Sequence, residues 1–77
     1  NFEAGSLTAN HYNERKDKSI WVTLQSTKRD TGVEKFGALV GDGSKIGANS
    51  VLSPGTVLTP NTIVKRLMLV EQNKRED

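Results

Sequence analysis

Val40-Gly41-Asp42-Gly43-Ser44-Lys45, Ile46-Gly47-Ala48-Asn49-Ser50-Val51, Leu52-Ser53-Pro54-Gly55-Thr56-Val57 and Leu58-Thr59-Pro60-Asn61-Thr62-Ile63 follow one another without a gap. Cut this way, the first position is always aliphatic, and the series runs on through Val64 and Val70. The fourth position is always Gly or Asn: Gly43, Asn49, Gly55, Asn61. The fifth is always a small hydroxyl: Ser44, Ser50, Thr56, Thr62. Three columns agreeing over four units mark an internal repeat, the feature to settle before any element is assigned.

Each column has its own physical reason. An aliphatic side chain at every sixth residue points inward from each flat side of a coil. Gly and Asn adopt positive φ at low cost, so the fourth column predicts a corner. Small hydroxyls fit beside that corner, where a bulky side chain would collide with the coil above. Six residues per side and three sides predict an eighteen-residue triangular coil stacked by parallel backbone hydrogen bonds. Pro54 and Pro60 both fall in the third column, near the turns, where the missing N–H does no harm to a ladder. An amphipathic helix is excluded, because apolar residues do not recur at three and four and two prolines interrupt. A set of short antiparallel strands with Gly and Asn turns is the alternative. Either way the fold class is all-β.

Working outward, Phe2-Glu3-Ala4-Gly5-Ser6-Leu7 is another unit, and Thr8-Ala9-Asn10 begins the next. The period then fails: Thr8 and Val40 are 32 positions apart, which is not a multiple of six. The expected organisation is a coil fragment over 1–10, an inserted loop and strand over 11–35, coils over 36–70 and a charged tail over 71–77. His11 to Lys18 reads as a surface loop. Ile20, Val22 and Leu24 alternate on one face of a strand, with Trp21 on the other. Ser26 to Lys35 is polar, with Lys28, Arg29, Asp30 and Gly32 suited to a turn. Met68 breaks the fifth column, which reads as the approach to the end of the repeat. A long excursion from a regular winding is uncommon unless it lines a site or grips a neighbour, and Trp21 with the Ile20–Leu24 strand is the candidate for such a grip.

Composition narrows the function classes. The chain has 77 residues, 34% of them hydrophobic and 5% aromatic, which is little material for a conventional core. A net charge of +2 is too mild for a nucleic-acid partner. With no cysteine and one histidine, disulfides, thiolate metal sites and Cys nucleophiles fall away, and no metal site is expected. The longest apolar run, Leu67-Met68-Leu69-Val70, is far below the roughly 20 residues of a membrane span, and no signal peptide is visible. A first residue Asn1 in place of Met points to a piece of something longer. Gly41-Asp42-Gly43 reads as a repeat corner and not a phosphate loop, since no helix follows it.

The repeat resembles that of the left-handed parallel β-helix of hexapeptide-repeat acyltransferases; the left hand comes from this resemblance alone, being an exception to the right-handed crossover rule. More narrowly, Phe2-Glu3-Ala4-Gly5-Ser6-Leu7-Thr8-Ala9-Asn10, the insertion, Lys35-Phe36-Gly37-Ala38-Leu39-Val40-Gly41-Asp42 and Asn49-Ser50-Val51-Leu52-Ser53-Pro54-Gly55-Thr56 are similar to the C-terminal domain of sugar-phosphate nucleotidylyltransferases. The resemblance spans roughly residues 1–65. It implies a cytoplasmic homotrimer in which an upstream domain, absent here, transfers a nucleotidyl group. The β-helix half would move an acetyl group from acetyl-CoA to an amino sugar 1-phosphate. A β-helix kept only to trimerise or regulate a pyrophosphorylase is the alternative.

Acyl transfer to an amine needs the amine neutral, hence a base with a pKa near 7, typically His. The resemblance places that histidine before Asn1, so no catalytic residue is expected in this chain; His11 is its one histidine, and an exposed loop residue is the plainer reading. Asn10 matches the asparagine that bonds the acceptor sugar, or is simply a corner. Lys16 and Lys18 match loop lysines that meet the sugar phosphate, or belong to a solvated charged loop. Ala4 and Ala48 match small residues along the coenzyme A arm, or pack a corner. Arg66 stands where relatives keep a small residue. So few coils bury little surface, so the piece is expected to need upstream coils, trimer neighbours or both.

Overall fold

The structure is a computed structural model and describes residues 1–73. Every regular element among these residues is a strand: β1 (Leu7–Thr8), β2 (Trp21–Leu24), β3 (Thr27–Asp30), β4 (Ala38–Val40), β5 (Lys45–Ile46), β6 (Val51–Leu52), β7 (Thr56–Leu58), β8 (Ile63–Val64) and β9 (Leu69–Val70). The chain is all-β.

Seven of the nine strands pair in parallel, in three separate sheets. Ala38 faces Thr56 in β4–β7, Lys45 faces Ile63 in β5–β8, and Val51 faces Leu69 in β6–β9, each eighteen positions apart. The chain therefore visits three sides in turn and returns above itself every eighteen residues. Antiparallel pairing, the alternative for the repeat, is confined to the insertion. Leu7 pairs with Val51 and Phe2 bridges Ile46, forty-four positions apart in both cases, so the first turn obeys the same register once twenty-six inserted residues are set aside.

The first column is the core. Ile46, Leu52, Leu58 and Val64 form one buried cluster, with Ala38, Val40 and Val70 packed against it. These aliphatic side chains, recurring at every sixth residue, make up the core of the repeat. The fourth column turns the corners: φ is +76° at Gly5, +76° at Gly43, +56° at Asn49, +83° at Gly55 and +64° at Asn61. With Pro54 and Pro60 just before Gly55 and Asn61, this is the residue order of a type II turn. The fifth column has a further duty. The hydroxyls of Ser6, Ser50, Thr56 and Thr62 each donate to the carbonyl three residues back at 2.6 Å, adding a second bond across the corner.

The winding outlasts the column pattern. Leu67 stands in the fourth column with φ +61°, and β9 after it pairs with β6, although Met68 lacks the hydroxyl. Residues 71–73, expected as the start of a charged tail, make contacts with the preceding turn and the insertion. The Gln72 carboxamide accepts from Val57 N at 2.8 Å and donates to Val57 O at 2.9 Å, capping the edge of β7 as a further strand would. Residues 74–77 lie outside the described part.

The insertion leaves at the corner between β1 and β4, the corner that Gly55 makes one turn on. It contains a hairpin, not a single strand: β2 pairs antiparallel with β3, Trp21 to Asp30 through Leu24 to Thr27. The polar stretch expected as a turn is thus partly strand, and the turn itself is Gln25–Ser26, both left-handed at φ +50° and +68°. Two left-handed residues give the twist that suits a two-residue hairpin. Ile20 and Val22 are buried and seat the hairpin on the chain's own winding. A β-carbon on Gly55 would strike Trp21 O, so the hairpin rests on bare backbone there.

Candidate functional site

The residues singled out in the sequence fall in two places. Ala4 and Ala48 are neighbours on one corner, where Asn49 N donates to Ala4 O and Leu67 N to Ala48 O. Beside them Glu3 reaches across the turns: its Oε1 accepts from Ala48 N at 3.0 Å and lies 3.8 Å from Arg66 Nε. Gly47 lies where a β-carbon would meet Arg66 N at 2.5 Å, so successive turns are in close contact at this corner. Glu3, Gly47, Val64, Lys65 and Arg66 bound an open groove along it. Arg66, three-quarters exposed, brings positive charge to that groove and Glu3 negative charge, where the resemblance has a small residue.

Asn10, Lys16 and Lys18 sit at the root of the insertion. Asn10 is exposed, and its carbonyl accepts from Phe36 N at 2.9 Å, which closes the excursion where it departs and returns. Lys16 is exposed. Lys18 is half-buried and differently employed: its Nζ donates to Asn13 O at 3.2 Å and Arg15 O at 3.1 Å, tying the loop to itself. His11 Nδ1 lies 3.1 Å from Glu34 O. A carbonyl only accepts, so Nδ1–H is the donor in this contact.

A buried polar knot beneath the insertion went unread in the sequence. Arg15 is 5% exposed, with Nη2 3.1 Å from Glu71 Oε1 and the guanidinium 3.6 Å from the Tyr12 ring centroid. Tyr12 donates to Pro54 O at 3.2 Å. Burial pushes its phenol above the ordinary value, and the Arg15 charge draws it part of the way back. Asn73, also buried, accepts from Thr23 Oγ1 at 2.8 Å and donates to Trp21 O at 2.8 Å. Trp21, Arg15 and Tyr12 thus gather on the winding of the same chain, and Trp21 lines a pocket there. The signal missed was one of spacing: Asn73 falls eighteen residues after Gly55, so its side chain arises at the corner the insertion must cross.

No group of three or more His, Asp or Glu able to hold a metal occurs among the described residues. No helix among them is long and apolar enough to cross a membrane. Comparison with known protein-family models finds no match, and comparison with curated proteins finds none either.

Proposed function

We propose that the chain is part of a left-handed parallel β-helix of the hexapeptide-repeat kind. Its task is to shape the acceptor side of an acetyl-transfer site in a sugar-nucleotide enzyme. The donor is acetyl-CoA, the acceptor an amino sugar 1-phosphate, and an upstream nucleotidylyltransferase domain completes the enzyme. The observation that carries this reading is the anchored insertion: Tyr12, Arg15, Trp21 and Asn73 clamp it to the winding while Asn10 and Lys16 stay exposed at its root. A clamped loop keeps the backbone that carries an amide and an ammonium in place, which favours orienting a sugar phosphate. Ala4 and Ala48, on the corner with Arg66, serve the coenzyme arm, and the general base comes from the preceding segment.

A homotrimer fits the outer surface. Leu7, Val51 and Leu69 lie in register across β1, β6 and β9, and Leu7 and Leu69 are more than half exposed, which makes an apolar row along one side. Such rows mark interaction surfaces. Ile20 and Val22 are buried within the chain itself, so this row supports a neighbour's contact better than the β2 strand does.

The scaffold reading is favoured by one observation, the engagement of Lys18 with its own loop. Thiol release from acetyl-CoA by the full-length protein, given glucosamine-1-phosphate or galactosamine-1-phosphate, separates the two. Thiol with either sugar supports acetyl transfer. None with both, while nucleotidyl transfer proceeds, leaves a β-helix that only assembles or regulates.

A further inference from the structure

The last turn of the winding carries apolar surface that its own core does not use. Of the nine large hydrophobic residues exposed among the described residues, Ile63, Leu67, Met68 and Leu69 fall within seven positions. β8 and β9 each pair on one edge only, so this cluster lies at the end of the stack. Leu69 continues the row already given to a neighbouring copy. Ile63 stands on another side of the coil, and Leu67 and Met68 lie between the two strands. Leu67 is the informative residue. It holds φ +61° in a column that elsewhere carries Gly or Asn, and its side chain is 79% exposed. Backbone strain of this kind persists where a residue has a task. A side chain so exposed has little to do within its own chain, so the task lies outside it.

The basic residues around the cluster decide the partner. Lys65 and Arg66 immediately precede Leu67, and Lys45 is the ladder neighbour of Ile63; all three are exposed. Glu3 offsets Arg66 at 3.8 Å, and no ion pair engages either lysine among the described residues. Interfaces between proteins are depleted in lysine. Basic side chains ringing a protruding apolar tip instead suit a lipid surface, where the apolar groups enter the acyl boundary and the cations meet anionic headgroups. We propose that the last turn rests on an anionic lipid surface. Ile63, Leu67 and Met68 enter the boundary between headgroups and acyl chains, while Lys45, Lys65 and Arg66 lie against lipid phosphates. The contact uses none of Asn10, Lys16 and Lys18 and requires no acetyl transfer, so it stands apart from the reading above. It shares Arg66 with the coenzyme corner, and the variants below leave Arg66 in place.

Vesicle cosedimentation of the full-length protein tests this. The probes are vesicles of phosphatidylcholine alone and of an equal mixture with phosphatidylglycerol, at low and high sodium chloride. The protein is expected to bind the mixed vesicles, to leave phosphatidylcholine alone, and to come off as salt rises. Leu67→Asn keeps a residue suited to the left-handed corner, so the fold survives while the apolar tip is lost; binding falls about tenfold. Lys45→Gln together with Lys65→Gln weakens binding to the mixed vesicles about twenty-five-fold at low salt, roughly fivefold for each charge. Failure to bind the mixed vesicles, equal binding to both kinds, or undiminished binding by Leu67→Asn would each overturn the proposal. So would a parent protein that ignores vesicles and whose sedimenting mass drops in Leu67→Asn, since the tip would then pack against another copy.

Discussion

The side-chain oxygen of Asn61 occupies the space above Gly43 where a β-carbon would have to sit. The same holds one corner on, where Asn49 covers Gly5. Gly and Asn therefore share the fourth column for two reasons. Both accept positive φ, and stacking them in alternate turns lets the carboxamide of one fill the vacancy left by the other. Asn49 and Asn61 each sit one turn above a glycine, and an unbroken column of either residue would lose half of that fit.

Replacing Gly43 by Ala meets an obstacle that can move, the end of an asparagine side chain. Replacing Gly55 by Ala meets Trp21 O, which is backbone, with Ile20 Cγ2 at 3.0 Å behind it. Gly43→Ala is expected to lose about 1–2 kcal/mol, the left-handed penalty of a β-carbon. Gly55→Ala is expected to lose about 3 kcal/mol or more, because overpacking adds to that penalty. Denaturant unfolding of the two variants gives the comparison, and equal losses would contradict the account of the hairpin resting on Gly55.

Leu67 is the counter-case. It holds φ +61° with a branched side chain that is 79% exposed, so it carries strain and packs little. Leu67→Asn restores the column residue and is expected to stabilise by about 1 kcal/mol. A fall in Tm would show that the leucine makes contacts worth more than its backbone strain, for instance with a neighbouring subunit.

Tyr12 supplies a pH dependence with a defined sign. Its folded pKa is raised, chiefly by burial, above an unfolded value of about 10. Below pH 10 or so both states keep the proton and the contribution is fully present. Above it the unfolded chain ionises first, and stability falls as pH rises toward the folded pKa, by at most about 1.4 kcal/mol per pH unit. Tyr12 is the only tyrosine, so tyrosinate absorbance reads the group directly. Tyr12→Phe is expected to flatten the alkaline loss relative to the parent; identical alkaline profiles would refute the burial.

Asn73 closes the knot, so its loss is expected to free the hairpin before it unwinds the coil. Asn73→Ala strands Thr23 Oγ1 and Trp21 O, and a loss of about 2–3 kcal/mol is expected from two unmade hydrogen bonds. Limited proteolysis is the sharper readout. Cleavage between 11 and 35 should quicken while the segment from Val40 to Val70 stays protected. Uniform protection throughout would mean that Ile20 and Val22 hold the hairpin without help.

How legible this was in the sequence depended on whether one column or several segments carried the information. Ile46, Leu52, Leu58 and Val64 were readable because each burial decision repeats at a fixed interval, and the corners were readable from Gly and Asn. β3 was not, because Thr27, Lys28, Arg29 and Asp30 all face solvent and pair through backbone alone. The turn before it uses Gln25 and Ser26 without the Asn-Gly signature of such turns. Arg15 was passed over for the two lysines that follow it because charge in a loop reads as solvated, and its burial depends on Tyr12, Glu71 and Asn73 converging on it. Met68 was misleading for the reverse reason, since losing one hydroxyl does not stop a ladder whose backbone partners remain.

The two lysines matched to the sugar phosphate part company in the structure, and that separation tests the proposed function. Lys18 bonds Asn13 O and Arg15 O, so Lys18→Ala is expected to cost about 1–2 kcal/mol of stability, whatever its effect on turnover. Lys16 is exposed, so Lys16→Ala is expected to leave stability within about 0.5 kcal/mol, as surface substitutions do. In the full-length protein it should raise the KM for the amino sugar 1-phosphate about tenfold, the loss of one charge-assisted phosphate contact, with the KM for acetyl-CoA unchanged. If acetyl transfer is present and Lys16→Ala leaves both constants alone, the phosphate is held elsewhere. The exposed ammonium then belongs to the surface of the loop.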